Sequence, residues 1–373
     1  MADMTGAMGD DSDNPAAESG HPAASAADKA RKRYRVTSFD VAAEAGVSQS
    51  TVSRALAGDP VVSEATRQRV YEAARKLNYH VDENAARLRT GRTGTLAVVV
   101  VSRPGEDAKD FNPFHYTLLG NVCAAASAAG HETLVSFQDT EERLWGLYQE
   151  QRKADGLIVI GTAENRPAWD YFRRIAGSGA HMVCWGSPFD ELDWVRSDNA
   201  EGARLATGHL LAAGYRQIVC VASETSAQRQ FKERYDGYAA RLAEEGLPAR
   251  LLPFEEGFSR LEQGRRAGRL LLERRAAEPF DAVFVCCDEM ALGVLQSLRE
   301  AGVQVPAQVG IVGFDGIRAG AHASPPLTSV EPDFHAAGAM LVRRLLATIN
   351  GQECAKERVP VQLLPRASSQ RPA

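Results

Sequence analysis

Between Thr37 and Leu56 the sequence places residue types that read DNA, at spacings a short helix can use. Gln49, Ser50 and Arg54 stand at the start of an amphipathic stretch and one turn on, off the apolar stripe of Val52 and Leu56. Arg grips guanine in a bidentate way and Gln does the same for adenine, so these side chains are candidates for base edges. Thr51 and Ser53 carry hydroxyls suited to phosphate oxygens, which position a protein without reading sequence. Thr37 and Ser48, at the two helix starts, complete the candidate DNA contacts. A second chemistry-bearing feature is Cys287-Asp288-Glu289-Met290-Ala291-Leu292-Gly293, where an apolar run passes into a helical pattern. Asp288 is expected to project from a strand end into a cleft, where a carboxylate accepts sugar hydroxyls; a helix cap is its alternative role.

These candidates need elements to hold them. Three short amphipathic helices fill residues 36–79. Thr37 with Asp40 resembles a capping box ahead of a face made by Phe39, Ala42 and Ala45. Gly46 breaks that helix with a left-handed turn, and Ser48 caps the second, 49–57. Gly58, Asp59 and Pro60 end it, and Ser63 caps a third helix carrying Val70, Ala73, Ala74 and Leu77. Two helices joined by a glycine turn, the second one bearing Gln49 and Arg54, describe a helix-turn-helix. Residues 31–93 hold 12 Lys or Arg against 7 Asp or Glu, a basic stretch in a chain of net charge −5, which points to nucleic acid.

From Thr95 onward β-like runs at 96–101, 131–137, 156–160, 181–185, 218–222, 282–286 and 309–314 alternate with helical stretches such as 202–213 and 290–301. Continuous apolar strands between helices imply parallel sheets covered on both faces. The chain has 373 residues, more than the roughly 250 to 300 one core supports, so two such α/β layers facing a cleft are expected. Trp185 at a strand end and Phe114 after Asn112-Pro113 are aromatic candidates for that cleft. Asp315, in Gly313-Phe314-Asp315, belongs to the cleft or its hinge.

No G-x-G-x-x-G follows a strand, and no P-loop, G-x-S-x-G or H-E-x-x-H is present, which argues against an enzyme and implies neither cofactor nor metal. Six cysteines without C-x-x-C spacing read as reduced thiols. Residues 1–33, rich in Ala, Ser, Gly and Asp, read as a disordered tail. They show neither the basic start nor the apolar stretch of an export signal, so a cytoplasmic protein is expected.

The wording Val36-Thr37-x-x-Asp40-Val41-Ala42-x-x-Ala45-Gly46-Val47-Ser48-x-x-Thr51-Val52-Ser53-Arg54-x-Leu56, followed by Val62-Ser63-x-x-Thr66-Arg67 and Leu77-Asn78-Tyr79, closely resembles the LacI/GalR family of bacterial transcription regulators. The resemblance runs from Val36 almost to the C-terminus. It implies a helix-turn-helix domain at 34–80, a hinge helix and linker at 81–93, and a periplasmic-binding-protein-like core of two interleaved Rossmann-like subdomains at 94–367, with a short tail at 368–373. It also implies a homodimeric repressor on a pseudo-palindromic operator, with a small-molecule effector in the core. Ala85 and Leu88 match hinge residues that enter the minor groove. Val81-Asp82 and Ala86 depart from the usual Pro-Asn and Arg, which implies fewer phosphate contacts there. Arg234, in Glu233-Arg234-x-x-Gly237-Tyr238, and Asp288 match ligand-binding positions, and Phe258 matches an aromatic that packs on the ligand.

A sugar or sugar phosphate leads as effector, with a purine or nucleoside as the alternative. A sugar-binding protein of the same core would have no use for residues 36–92. The segment 361–373 holds two prolines and no apolar repeat, so no tetramerising coiled-coil seam is expected and a dimer is.

Overall fold

The computed structural model describes residues 36–79, 91–106, 111–352 and 355–371. The chain forms two compact units, Met1–Glu83 and Asn84–Ala373. The expected N-terminal tail and the hinge candidates Ala85 and Leu88 lie outside the described residues.

In the first unit, helices α1 (Ser38–Ala45), α2 (Gln49–Leu56) and α3 (Glu64–Lys76) pack on one small core. Each start follows from its capping residue. Thr37 N donates to Asp40 Oδ2 at 2.8 Å, closing the capping box. Ser48 Oγ accepts from Thr51 N at 3.1 Å and Ser63 Oγ from Thr66 N at 3.3 Å. Gly46 ends α1 with φ 66°, a conformation that costs a side-chain-bearing residue far more than glycine. Val52 and Ala55 of α2 meet Val70, Ala73 and Ala74 of α3 in the core. Phe39 departs from expectation: it is 71% exposed, and Val41, Ala42 and Ala45 form the buried face. At 3.6 residues per turn Phe39 sits roughly 110° around the axis from the centre of that face.

The second unit holds two six-stranded sheets. The first has the order β11-β5-β4-β3-β1-β2, built from β1 (Thr95–Val101), β2 (Glu132–Gln138), β3 (Gly156–Gly161), β4 (Met182–Trp185), β5 (Trp194–Ser197) and β11 (Glu357–Val359). The second has the order β12-β10-β9-β8-β6-β7, from β6 (Ile218–Ala222), β7 (Leu251–Pro253), β8 (Ala282–Val285), β9 (Gly310–Phe314), β10 (Thr328–Pro332) and β12 (Val361–Leu364). All pairings are parallel except β10 with β12.

Strand β1 shows why its sequence is apolar throughout. Leu96, Val98 and Val100 face α4 (Pro113–Ala128) and α11 (Phe334–Ile349), while Ala97, Val99 and Val101 face α5 (Arg166–Gly177). Alternate residues thus enter opposite cores, the pattern of a strand covered on both sides. The second sheet is covered in the same way by α6 (Asn199–Ala212), α7 (Arg229–Ala243), α8 (Arg260–Arg274) and α9 (Asp288–Glu300), with the short α10 (Arg318–Ala321) beside β10. The chain passes between the two halves three times: through β5 into α6, through β10 into α11, and at Pro360 between β11 and β12.

The core runs beyond its expected end. Ser368 and Ser369 are fully buried, with Ser368 Oγ donating to Ile311 O at 2.6 Å and accepting from Thr328 N at 2.8 Å. No helix among the described residues is long and apolar enough to cross a membrane. The five described cysteines are unpaired, and burial pushes the thiols of Cys184, Cys220, Cys286 and Cys287 well up.

Candidate functional sites on the helix-turn-helix and in the cleft

The exposed side of α2 carries the base-reading candidates. Ser50 and Arg54 are exposed, and Gln49 and Thr51 are half-buried. Gln49 Nε2 donates to Ser38 Oγ at 3.1 Å, tying the start of α2 to the start of α1 and leaving its carbonyl oxygen to accept. Ser48 Oγ lies 2.8 Å from both Ser50 Oγ and Thr51 Oγ1, so three hydroxyls cluster at the N-terminal end of α2, where backbone N–H groups also favour a phosphate. Thr37 is committed through Oγ1 to Asp40 Oδ2 at 2.7 Å.

The second unit has a cleft of two adjoining chambers at the carboxyl ends of the strands. The inner one, about 50 Å³, is lined by Phe114, Trp185, Arg196, Arg234 and Asp315 among others. The outer one, about 640 Å³, is lined by Arg103, Glu106, Glu164, Phe258 and Glu289, and the two share Asn112, His115, Gln228 and Arg260.

Every arginine of the inner chamber is paired. Arg234 Nη1 lies 3.1 Å from Asp315 Oδ1, its Nε donates to Asn199 Oδ1 at 2.9 Å, and the guanidinium stacks 3.5 Å over Phe314. Arg196 Nη1 is 2.7 Å from Glu233 Oε1, and Arg260 Nη2 bonds Glu164. Burial pushes the Asp315 carboxyl up to about 6 against the opposing pull of Arg234 and Arg260. Burial also pushes Glu233 up, but hydrogen bonds from Asn199, Arg358 and Arg196 and the Arg196 charge outweigh it, and its pKa ends below the ordinary value.

Bonds cross between the halves: Glu164, which also accepts from Arg103 Nε of its own half at 2.5 Å, accepts from Arg260, and Gln228 Nε2 donates to Thr162 Oγ1 at 3.1 Å. Trp185 and Phe114 meet with ring centroids 5.8 Å apart. Phe258 is half-buried under the Arg266 guanidinium, 3.7 Å from its ring centroid.

Asp288 does not reach either chamber. It is fully buried under the second sheet, where Oδ1 accepts from Ser329 Oγ at 2.7 Å and Oδ2 from Ile317 N at 2.9 Å. Burial, then the charge of Asp315, holds its carboxyl well above the usual range. As the first residue of α9 it is held by Ser329 of β10 and by the Ile317 amide after β9, so it braces the ends of those two strands instead.

The sequence profile "Bacterial regulatory proteins, lacI family" matches residues 39–82, and "Periplasmic binding protein-like domain" matches 207–369. The HTH-type transcriptional regulator CelR of Thermobifida fusca is 32% identical over 329 residues, covering 86% of this chain and 94% of that protein. The chain belongs to the lacI family of bacterial regulatory proteins. The ribose operon repressor of Escherichia coli K12 is 28% identical over 88% of this chain and 97% of its own length. A solved structure titled "transcriptional regulator CelR-cellobiose complex" superposes with a TM-score of 0.63 at 30% identity, covering 90% of this chain and all of that one.

This lacI-family member is thus a DNA-binding transcriptional regulator and not an enzyme. Among the expected cleft residues the structure brings together Arg234, Trp185 and Phe114 in the inner chamber and places Phe258 in the outer one. Sequence reasoning passed over Arg196, Asn199, Gln228, Arg260 and His115. Only Asp315 carried a usable signal, a carboxylate directly after the apolar strand β9.

Proposed function

We propose that this regulator is a homodimeric repressor that binds a pseudo-palindromic operator in the cytoplasm, associated with the nucleoid when bound, and that a neutral sugar held in the two-chambered cleft sets its operator affinity. The observation that carries the effector class is the pairing of Arg196, Arg234 and Arg260 with Glu233, Asp315 and Glu164. A phosphorylated ligand calls for an uncompensated cation, whereas a cleft of balanced charges, amides and aromatic faces suits hydroxyls and an apolar sugar face. The relatives support this reading, since one was solved with cellobiose and another is named for a ribose operon.

On this proposal Gln49, Ser50 and Arg54 read bases, Ser48, Thr51 and Ser53 contact phosphates, Thr37 serves the DNA module through the helix start it caps, and Ala85 and Leu88 serve the minor groove. The test is thermal-shift screening with neutral sugars, sugar phosphates and nucleosides, followed by operator titration with each hit. A ligand of the folded state raises the melting temperature. A neutral sugar that stabilises the chain and changes operator affinity bears the proposal out; stabilisation by sugar phosphates or nucleosides alone overturns the effector class.

A further inference from the structure

His115 stands where the inner and outer chambers meet, on the first turn of α4. Its ring is fixed from two sides: Phe111 stacks on it with centroids 4.9 Å apart, and Phe114 meets it edge-on at 5.4 Å. The backbone is fixed as well, because His115 N donates to Asn112 O at 3.0 Å. Yet its Nδ1 is buried and has no hydrogen-bond partner among the described residues.

Burial, then the nearby positive charge of Arg260, pushes the imidazole down to about 4, so the ring is neutral near pH 7. A hydrogen bond with the Gly161 backbone pulls the other way, as donation to a carbonyl does. A neutral imidazole has one N–H and one bare lone pair. Whichever nitrogen holds the proton, Nδ1 is left without a partner among the described residues, and buried polar atoms in folded proteins nearly always find one.

We infer that His115 is a specificity-determining residue of the cleft, its Nδ1 sharing a hydrogen bond with one hydroxyl of a sugar held where the two chambers meet. The inference rests on the proposed neutral-sugar reading and deepens it. A hydroxyl both donates and accepts, so it satisfies Nδ1 in either tautomer of the ring.

The full chain is titrated calorimetrically with D-glucose, D-galactose, D-xylose, D-ribose and cellobiose, and each sugar that binds is repeated with H115F and H115Q. Phe keeps a flat ring without a hydrogen-bonding atom, and Gln restores both a donor and an acceptor. The expected result is a loss of about tenfold or more in H115F, consistent with a missing buried hydrogen bond, with partial recovery in H115Q and unchanged sugar-free operator binding. Monodeoxy derivatives sharpen the test: one of them should bind wild type about tenfold more weakly than the parent sugar, and H115F should not distinguish the two. A sugar that binds H115F as tightly as wild type overturns the role of His115 and leaves the proposed function standing. No binding by any of these sugars at concentrations up to about 10 mM, tenfold above a Kd of about 1 mM, overturns both.

Discussion

Arg234 Nη1 and Asp315 Oδ1 lie 3.1 Å apart, both residues almost wholly buried, and Asp315 holds a backbone φ of 115° to make the contact. The aspartate that faces the inner chamber is therefore the one ending β9. A side-chain-bearing residue in that region of φ is strained, and such strain persists where the surroundings dictate it. Here a buried guanidinium supplies the reason.

Asp315→Ala should destabilise the core by about 3 to 5 kcal/mol, because it strands the Arg234 charge without its partner. Urea unfolding of both proteins checks this. A loss below 1 kcal/mol would show that the pair is not what compensates Arg234.

Asp288→Ala should also cost stability, by about 1 to 3 kcal/mol, for the Ile317 amide left unpaired and the Ser329 hydroxyl left without its carboxylate. It should leave the melting-temperature gain from any bound sugar unchanged, since neither chamber includes Asp288. A variant that folds well but no longer responds to sugar contradicts the placement.

Glu289 gives a pH dependence with a definite sign. Burial, then the charge of Asp315, pushes its carboxyl from 4.5 to about 7. Between those values the folded chain holds a proton that the unfolded chain releases, so stability falls as pH rises through this window, by up to about 3 kcal/mol for this group. Asp315, raised to about 6, acts in the same direction at lower pH. Denaturant unfolding at several pH values should show E289Q losing the slope between about pH 6 and 7 and keeping only the Asp315 share of it below about pH 6. An identical slope in the variant refutes the assignment.

Gly237→Ala tests the seat of α7. A Cβ there would lie 2.2 Å from the Ala200 carbonyl oxygen on α6, so the helices must move apart. A cost of about 1 to 3 kcal/mol is expected from thermal unfolding.

On the DNA module, Arg54→Ala should cost about 1 to 3 kcal/mol and relax preference at one operator position. Thr51→Ala should weaken all sequences nearly alike, as a phosphate contact does. Selection of bound sequences separates the two, and an unchanged base preference for the Arg54 variant sinks its role.

What the sequence made legible was local. The caps at Thr37, Ser48 and Ser63 and the turn at Gly46 are each decided by residues within four positions, and β1 is apolar at every position because it has two covered faces. Short strands such as β5, β7 and β11, of three or four residues, escape notice because their edges are fixed by partners far away in the chain. The same distance hid the cleft. Arg234 meets a residue 81 positions on, and Arg260 a residue 96 positions back. Asp288 and Asp315 both follow apolar strands, and only the packed sheet determines which carboxylate turns toward the chambers. Phe39 escapes the pattern for a simpler reason: a helix of two turns has too few apolar residues to fix its inner face by pattern alone.

The triple crossing between the two sheets bears on how the protein is made. The edge strand β11 of the first sheet comes from residues 357–359, and the second sheet is closed by β12 and by the serines at 368 and 369. A nascent chain leaving the ribosome cannot finish the first layer and set it aside while the second emerges. Both stay open at one edge until the last crossing is synthesised, so the two layers mature together, late, and with unpaired strand edges exposed in the interval.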